Sequence, residues 1–133
     1  MVDGRNLPFA DKNFDLVVSF ATLEHAGSRQ EQHRFVQEAC RVGKSVCIVI
    51  PNRWYPIEFH TLMPFVHWLP APWFRFIIKL LGIDFYAKEE NLNLLSEQDV
   101  LKMFPENSRI TVKHFRFLGL ISNLMFYADL LGG

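Results

Sequence analysis

Two apolar runs, at residues 14–20 and 46–50, stand on either side of one helix-patterned segment, and that order leaves few folds open. The first run holds Leu16, Val17 and Val18 with little polar interruption, the pattern of a parallel strand covered on both faces. Between the runs, Ser28 followed three residues later by Glu31 forms a capping-box signature. Phe35, Val36, Ala39 and Cys40 then recur at helical spacing until Gly43, which predicts an amphipathic helix. Pro51-Asn52 stops the second run. Strand, helix and strand in this order make a right-handed parallel crossover, so the expected fold class is α/β.

The remainder of the chain is less regular. Residues 54–85 contain Pro56, Pro64, Pro70 and Pro72 with Trp54, Trp68 and Trp73, and show no strand alternation. They read as an inserted helical flap at about residues 53–86, with a short helix after Pro72 marked by Phe74, Ile77, Ile78 and Leu81. Ser96 and Asp99 have the spacing of a cap and its third helical position, which predicts a helix over 97–104 that Pro105 ends. Ile110, Val112 and His114 alternate with Thr111 and Lys113, a half-exposed strand, and residues 120–127 supply a last apolar run after Gly119. These two are expected to pair as an antiparallel edge.

Composition removes several function classes. Fourteen basic and fourteen acidic residues cancel, so no overall field draws in phosphate backbones and nucleic acid is not an expected partner. The chain of 133 residues is the size of one domain. Cys40 lies in the predicted helix and Cys47 in the second strand, a context for reduced, buried thiols and a cytoplasmic location. No basic segment followed by an apolar one marks the N-terminus as a secretory signal. The prolines of the flap, with Glu58, Arg75 and Lys79, interrupt any run of the ~20 apolar residues that a membrane span needs. No P-loop, nucleophile elbow or dinucleotide glycine fingerprint is present.

The stretch from Asp3 to His25, with Leu7-Pro8-Phe9, Phe14-Asp15 and Leu23-Glu24-His25 at these spacings, resembles the middle of a class I S-adenosylmethionine-dependent methyltransferase, in particular the small-molecule branch called type 11. The resemblance extends from Asp3 to about Asn52. It implies a Rossmann-like sheet in which this chain supplies strands 4, 5, 6 and 7 in the order 4-5-7-6, mostly parallel with an antiparallel edge. The family's strands 1 and 2 and most of strand 3, with the glycine-rich turn and the ribose-binding acidic residue, have no counterpart in the sequence, so the chain reads as a single truncated domain spanning 1–133. Activity of the chain alone is then not expected.

Carried over by position, the resemblance assigns S-adenosylmethionine as cofactor, with Asp3 accepting from the adenine amino group and Gly4 turning its backbone amide to the ring. Ser19 and Phe20 match positions near the methionine part of the cofactor. Leu23, Glu24 and His25 match the segment leading to the acceptor, and Asn52, Arg53, Trp54 and His60 fall in the loop that faces it. No residue is assigned a catalytic role. The implied acceptor is small or lipid-like.

Two further readings come from the residues themselves. Without the missing strands, Phe14–Phe20 would be an exposed apolar edge, which predicts self-association and allows a non-catalytic interaction module. The aromatic flap, through Phe65, Trp68, Leu69, Trp73, Phe74 and Phe76, could meet a lipid or hydrophobic acceptor. Glu24, His25, His33, Glu58 and His60 carry metal-ligating chemistry but no closely spaced ligand pairs, so no metal site is expected.

Overall fold

The computed structural model describes residues 3–130. The first apolar run forms β1 (Phe14–Phe20), and Ser28 caps α1 (Arg29–Val42). The capping box is complete, with the Ser28 hydroxyl accepting from the Glu31 N–H and the Glu31 carboxylate accepting from the Ser28 N–H. The helix passes directly into β2 (Gly43–Pro51). Only glycine fits this junction, because a Cβ at Gly43 would lie 2.8 Å from a Val17 methyl group.

The flap folds as α2 (Ala71–Leu80) and a single turn α3 (Asp84–Ala87), preceded by a 3-10 turn at Val66–Trp68. A second capping box, Ser96 with Asp99, opens α4 (Glu97–Leu101). This helix is three residues shorter than expected. Its end tightens into bonds from Met103 N–H to the Val100 carbonyl and from Phe104 N–H to the Leu101 carbonyl, which carry Met103 and Phe104 into the core. The last described elements are the hairpin strands β3 (Arg109–Phe117) and β4 (Leu120–Asp129).

The sheet order is β1-β2-β4-β3, the order expected for strands 4-5-7-6. β1 and β2 pair in parallel, and β4 pairs antiparallel with both β2 and β3. Val46, Ile48 and Ile50 of β2, with Leu124, Phe126 and Ala128 of β4, meet Val36, Ala39 and Cys40 of α1 and Val100 of α4 in the main core. A smaller core under the flap joins Phe74 and Ile78 to Leu92 and Leu94. Phe74, grouped above with the surface aromatics, is thus internal.

β1 is not covered on both faces. Val17 packs on the main core, whereas Leu16, Val18 and Phe20 are 50%, 60% and 71% exposed. An uninterrupted apolar run matches a strand with two buried faces, yet among the described residues only one face of β1 has a helix on it. No described helix is long and apolar enough to cross a membrane.

The segment before β1 is stapled to α1 by charge. Arg41 donates to the carbonyls of Leu7 and Phe9 and to Asp11, and Glu38 accepts from Arg41 and from the Leu7 N–H at 2.8 Å. The Arg41 guanidinium and the Leu7 amide hold the Glu38 carboxyl down at about 2. A carboxyl that is more acidic when folded contributes stability above its unfolded pKa and loses it as pH falls through the folded value. Glu38→Gln is therefore expected to cost about 1–2 kcal/mol at neutral pH. It should also flatten the loss of stability between about pH 4.5 and 2. Urea unfolding across that range checks this; an unchanged acid profile would refute it.

Candidate functional site

Beyond β1 the backbone turns sharply at Ala21, whose φ of 47° is left-handed, while its N–H donates to the Val49 carbonyl at 2.9 Å. One 3-10 turn, Leu23–His25, follows. It is clamped from two sides: the Gln32 amide of α1 donates to the carbonyls of Leu23 and Asn93, and the Asn93 N–H donates to the Glu24 carbonyl. Leu23 is fully buried, and the clamp carries Glu24 inside with it. Only 1% of Glu24 is exposed, and neither carboxylate oxygen has a hydrogen-bond partner. Burial pushes its pKa up.

The flap brings a second set of groups to this turn. The His25 and His60 rings meet edge to face, with their Nε2 atoms 3.0 Å apart. His25 Nδ1 lies 2.5 Å from the Asn91 carbonyl oxygen, and His60 Nδ1 lies 2.6 Å from Glu58 Oε1. Glu58 is buried and also accepts from the backbone amides of His60 and Thr61 and from the Thr61 hydroxyl. Burial alone would raise the Glu58 carboxyl, but the bonds from His60 and Thr61 prevail and hold it at about 2. The same Glu58 bond raises His60 against the opposing effect of burial.

At the carboxyl end of β1 opens a cleft of about 560 Å³ whose walls include Asp3, Gly4, Thr22, His25 and Asn91. Phe35 of α1 closes one side, and a Cβ on Gly4 would overlap its ring and force the ring to swing aside. Asp3 is held in place by Arg5, which donates to both carboxylate oxygens and also reaches Glu31 at 2.6 Å. These bonds lower the Asp3 carboxyl to about 2.

Of the expected site residues, Asp3, Gly4 and His25 thus share one cleft, and Glu24 and His60 stand beside it. Ser19 is buried on the covered side of β1 and Phe20 projects into the open, so neither lines this cleft. Asn52 spends its side chain locally, donating to the Ile121 carbonyl and accepting from the Trp54 N–H. Arg53 lies over the Trp54 ring at 5.6 Å, and Asn52 and Trp54 line a separate groove beside Ser96 and Glu97. Asn91, Phe35 and Arg5 enter the site without a sequence signal. Asn91 contributes a backbone carbonyl and Phe35 reads only as a helix-face residue. Glu58 was visible as a ligand-type side chain, but its role as the partner of His60 required the turn at 58–61.

Residues 1–50 match the sequence profile of the family described as "Methyltransferase domain". No curated protein matches the chain. Among solved structures, a SAM-dependent methyltransferase from Methanosarcina mazei superimposes with a TM-score of 0.60 at 17% identity, covering 98% of this chain and 65% of its own. A SAM-dependent methyltransferase from Thermotoga maritima superimposes with a TM-score of 0.51 at 14% identity, covering 94% of this chain and 60% of its own. The chain therefore spans less than two thirds of the length of either structure. In sequence over its first 50 residues, and in fold over nearly all of its length, the chain resembles SAM-dependent methyltransferases.

Proposed function

We propose that this chain carries part of the site of a methyltransferase that uses S-adenosylmethionine, with the adenine end of the cofactor against Asp3 and Gly4 and the acceptor approaching past His25 and His60. The observation that supports this reading is the cleft at the carboxyl end of β1, where open α/β sheets bind ligands, with Asp3, Gly4 and His25 in its walls. The sulfonium supplies an already activated methyl group, so the protein's work is alignment and, for some acceptors, removal of a proton. A small or lipid-like acceptor fits the exposed Phe59, Leu62 and Phe85 of the flap. The free thiols of Cys40 and Cys47 favour a reducing cytoplasm.

Isothermal titration with S-adenosylmethionine and S-adenosylhomocysteine into the millimolar range tests this. Saturable heat that Gly4→Leu abolishes is the expected result. No heat from the unaltered chain would overturn cofactor binding by the chain alone.

A second reading is favoured by a specific observation. The open face of β1 presents Leu16, Val18 and Phe20 on a strand with one free edge, a surface suited to self-association. A non-catalytic, self-associating module derived from a methyltransferase would use the same face. Sedimentation at micromolar concentration is expected to show a dimer that Val18→Lys dissociates. A chain that is monomeric throughout would sink this reading.

A further inference from the structure

We infer that Glu24, His25 and His60 form a binding site for a divalent transition-metal cation. The three ligand atoms lie within 4.8 Å of one another, although His25 and His60 are 35 residues apart in sequence.

The argument starts from the two rings. The Asn91 carbonyl can only accept, so His25 carries its hydrogen on Nδ1. Glu58 is likewise an acceptor, so Nδ1 of His60 donates to it. The two Nε2 atoms lie 3.0 Å apart. Two bare lone pairs repel at that distance, so either a proton or a metal ion lies between them. A proton shared between the rings would satisfy the histidines. It would leave both oxygens of buried Glu24 without a partner, a costly arrangement. A metal ion satisfies all three side chains together.

The spacing suits an ion. Metal-to-nitrogen bonds of about 2.0–2.1 Å place two histidine ligands roughly 3 Å apart around one centre. Glu24 Oε1 is 4.0 Å from His25 Nε2, and the carboxylate would move inward by about 1–2 Å to share an ion with both rings. Each histidine is already oriented from behind, His60 by a carboxylate and His25 by a backbone carbonyl, as metal-bound histidines are. Two imidazoles and one carboxylate suit zinc, iron(II), manganese or cobalt rather than calcium or magnesium. Because His25 also borders the cleft, positions left open on the ion would face it.

The test is to load the purified chain with Co²⁺, dialyse it, and record metal content and the visible cobalt spectrum. One retained ion per chain with a nitrogen-ligand spectrum is expected. His60→Ala and Glu24→Gln should lose it, and Glu58→Gln should weaken binding by about 10–100-fold. His33→Ala, which alters an exposed side chain of α1, should bind as the unaltered chain does. Failure of the unaltered chain to retain cobalt, or equal retention by Glu24→Gln and His60→Ala, would overturn the site. If those two variants do not fold, the thermal midpoint of the unaltered chain with and without Zn²⁺ decides: a rise supports the site and an unchanged midpoint overturns it. None of these readouts depends on S-adenosylmethionine binding.

Discussion

Phe126→Ala is expected to lower the free energy of unfolding by about 3–5 kcal/mol, the largest loss of any single substitution considered for this chain. Phe126 is fully buried on β4, paired with Ile48 of β2 on one side and Val112 of β3 on the other. Its ring lies in the antiparallel half of the sheet, next to β2, the strand that joins that half to the parallel pair, and packs in the core with residues of α1 and α4. Truncation removes a large apolar group from water-free surroundings and leaves a cavity that two strands fixed by their ladders cannot close. Because domains are stable by only about 5–15 kcal/mol, such a loss removes a large part of the margin. Chemical denaturation at a fixed temperature measures it directly. A cost below about 1 kcal/mol would mean that the sheet relaxes around the gap and that the core is far looser than its burial implies.

Ile78→Ala should have a comparable cost of about 2–5 kcal/mol but a different reach. Ile78 is fully buried in the second core, with Phe74, Leu92 and Leu94, and its partners include Tyr86 and Met63 rather than the sheet. The Tyr86 ring meets that of His60 at a tilt, with centroids 5.5 Å apart, so this core borders the turn that brings His60 to His25. The expected result is a local opening: amide exchange rises in α2 and in residues 58–63 while β2 and β4 keep their protection. Uniform loss of protection across the chain would show that flap and sheet unfold as one unit. In that case the flap could not move independently of the sheet.

Much of the frame was legible in the residues alone. β1, α1 and β2 were marked by run length, helical spacing and a capping box, and Ser28 with Glu31 and Ser96 with Asp99 make the bonds their spacing implies. These are local signals, written within four or five residues and enforced by backbone hydrogen bonding, so tertiary context had little to alter. Where context did act, it showed: α4 stops at Leu101 because burying Met103 and Phe104 outweighs one more helical turn. The apolar run of β1 likewise marked a strand correctly but could not say that Leu16, Val18 and Phe20 would lie open.

The site divides in the same way. Asp3, Gly4 and Leu23-Glu24-His25 could be singled out from one contiguous stretch. That Arg5 occupies Asp3, that Gly4 faces Phe35, and that His60 comes to rest against His25 with Glu58 behind it were decided by the folded chain. Local spacing determines which groups share a turn or a helix face. Whether groups 35 positions apart come into contact depends on how the flap packs over the sheet, and that follows from burial of Phe74, Ile78, Leu92 and Leu94 rather than from any motif.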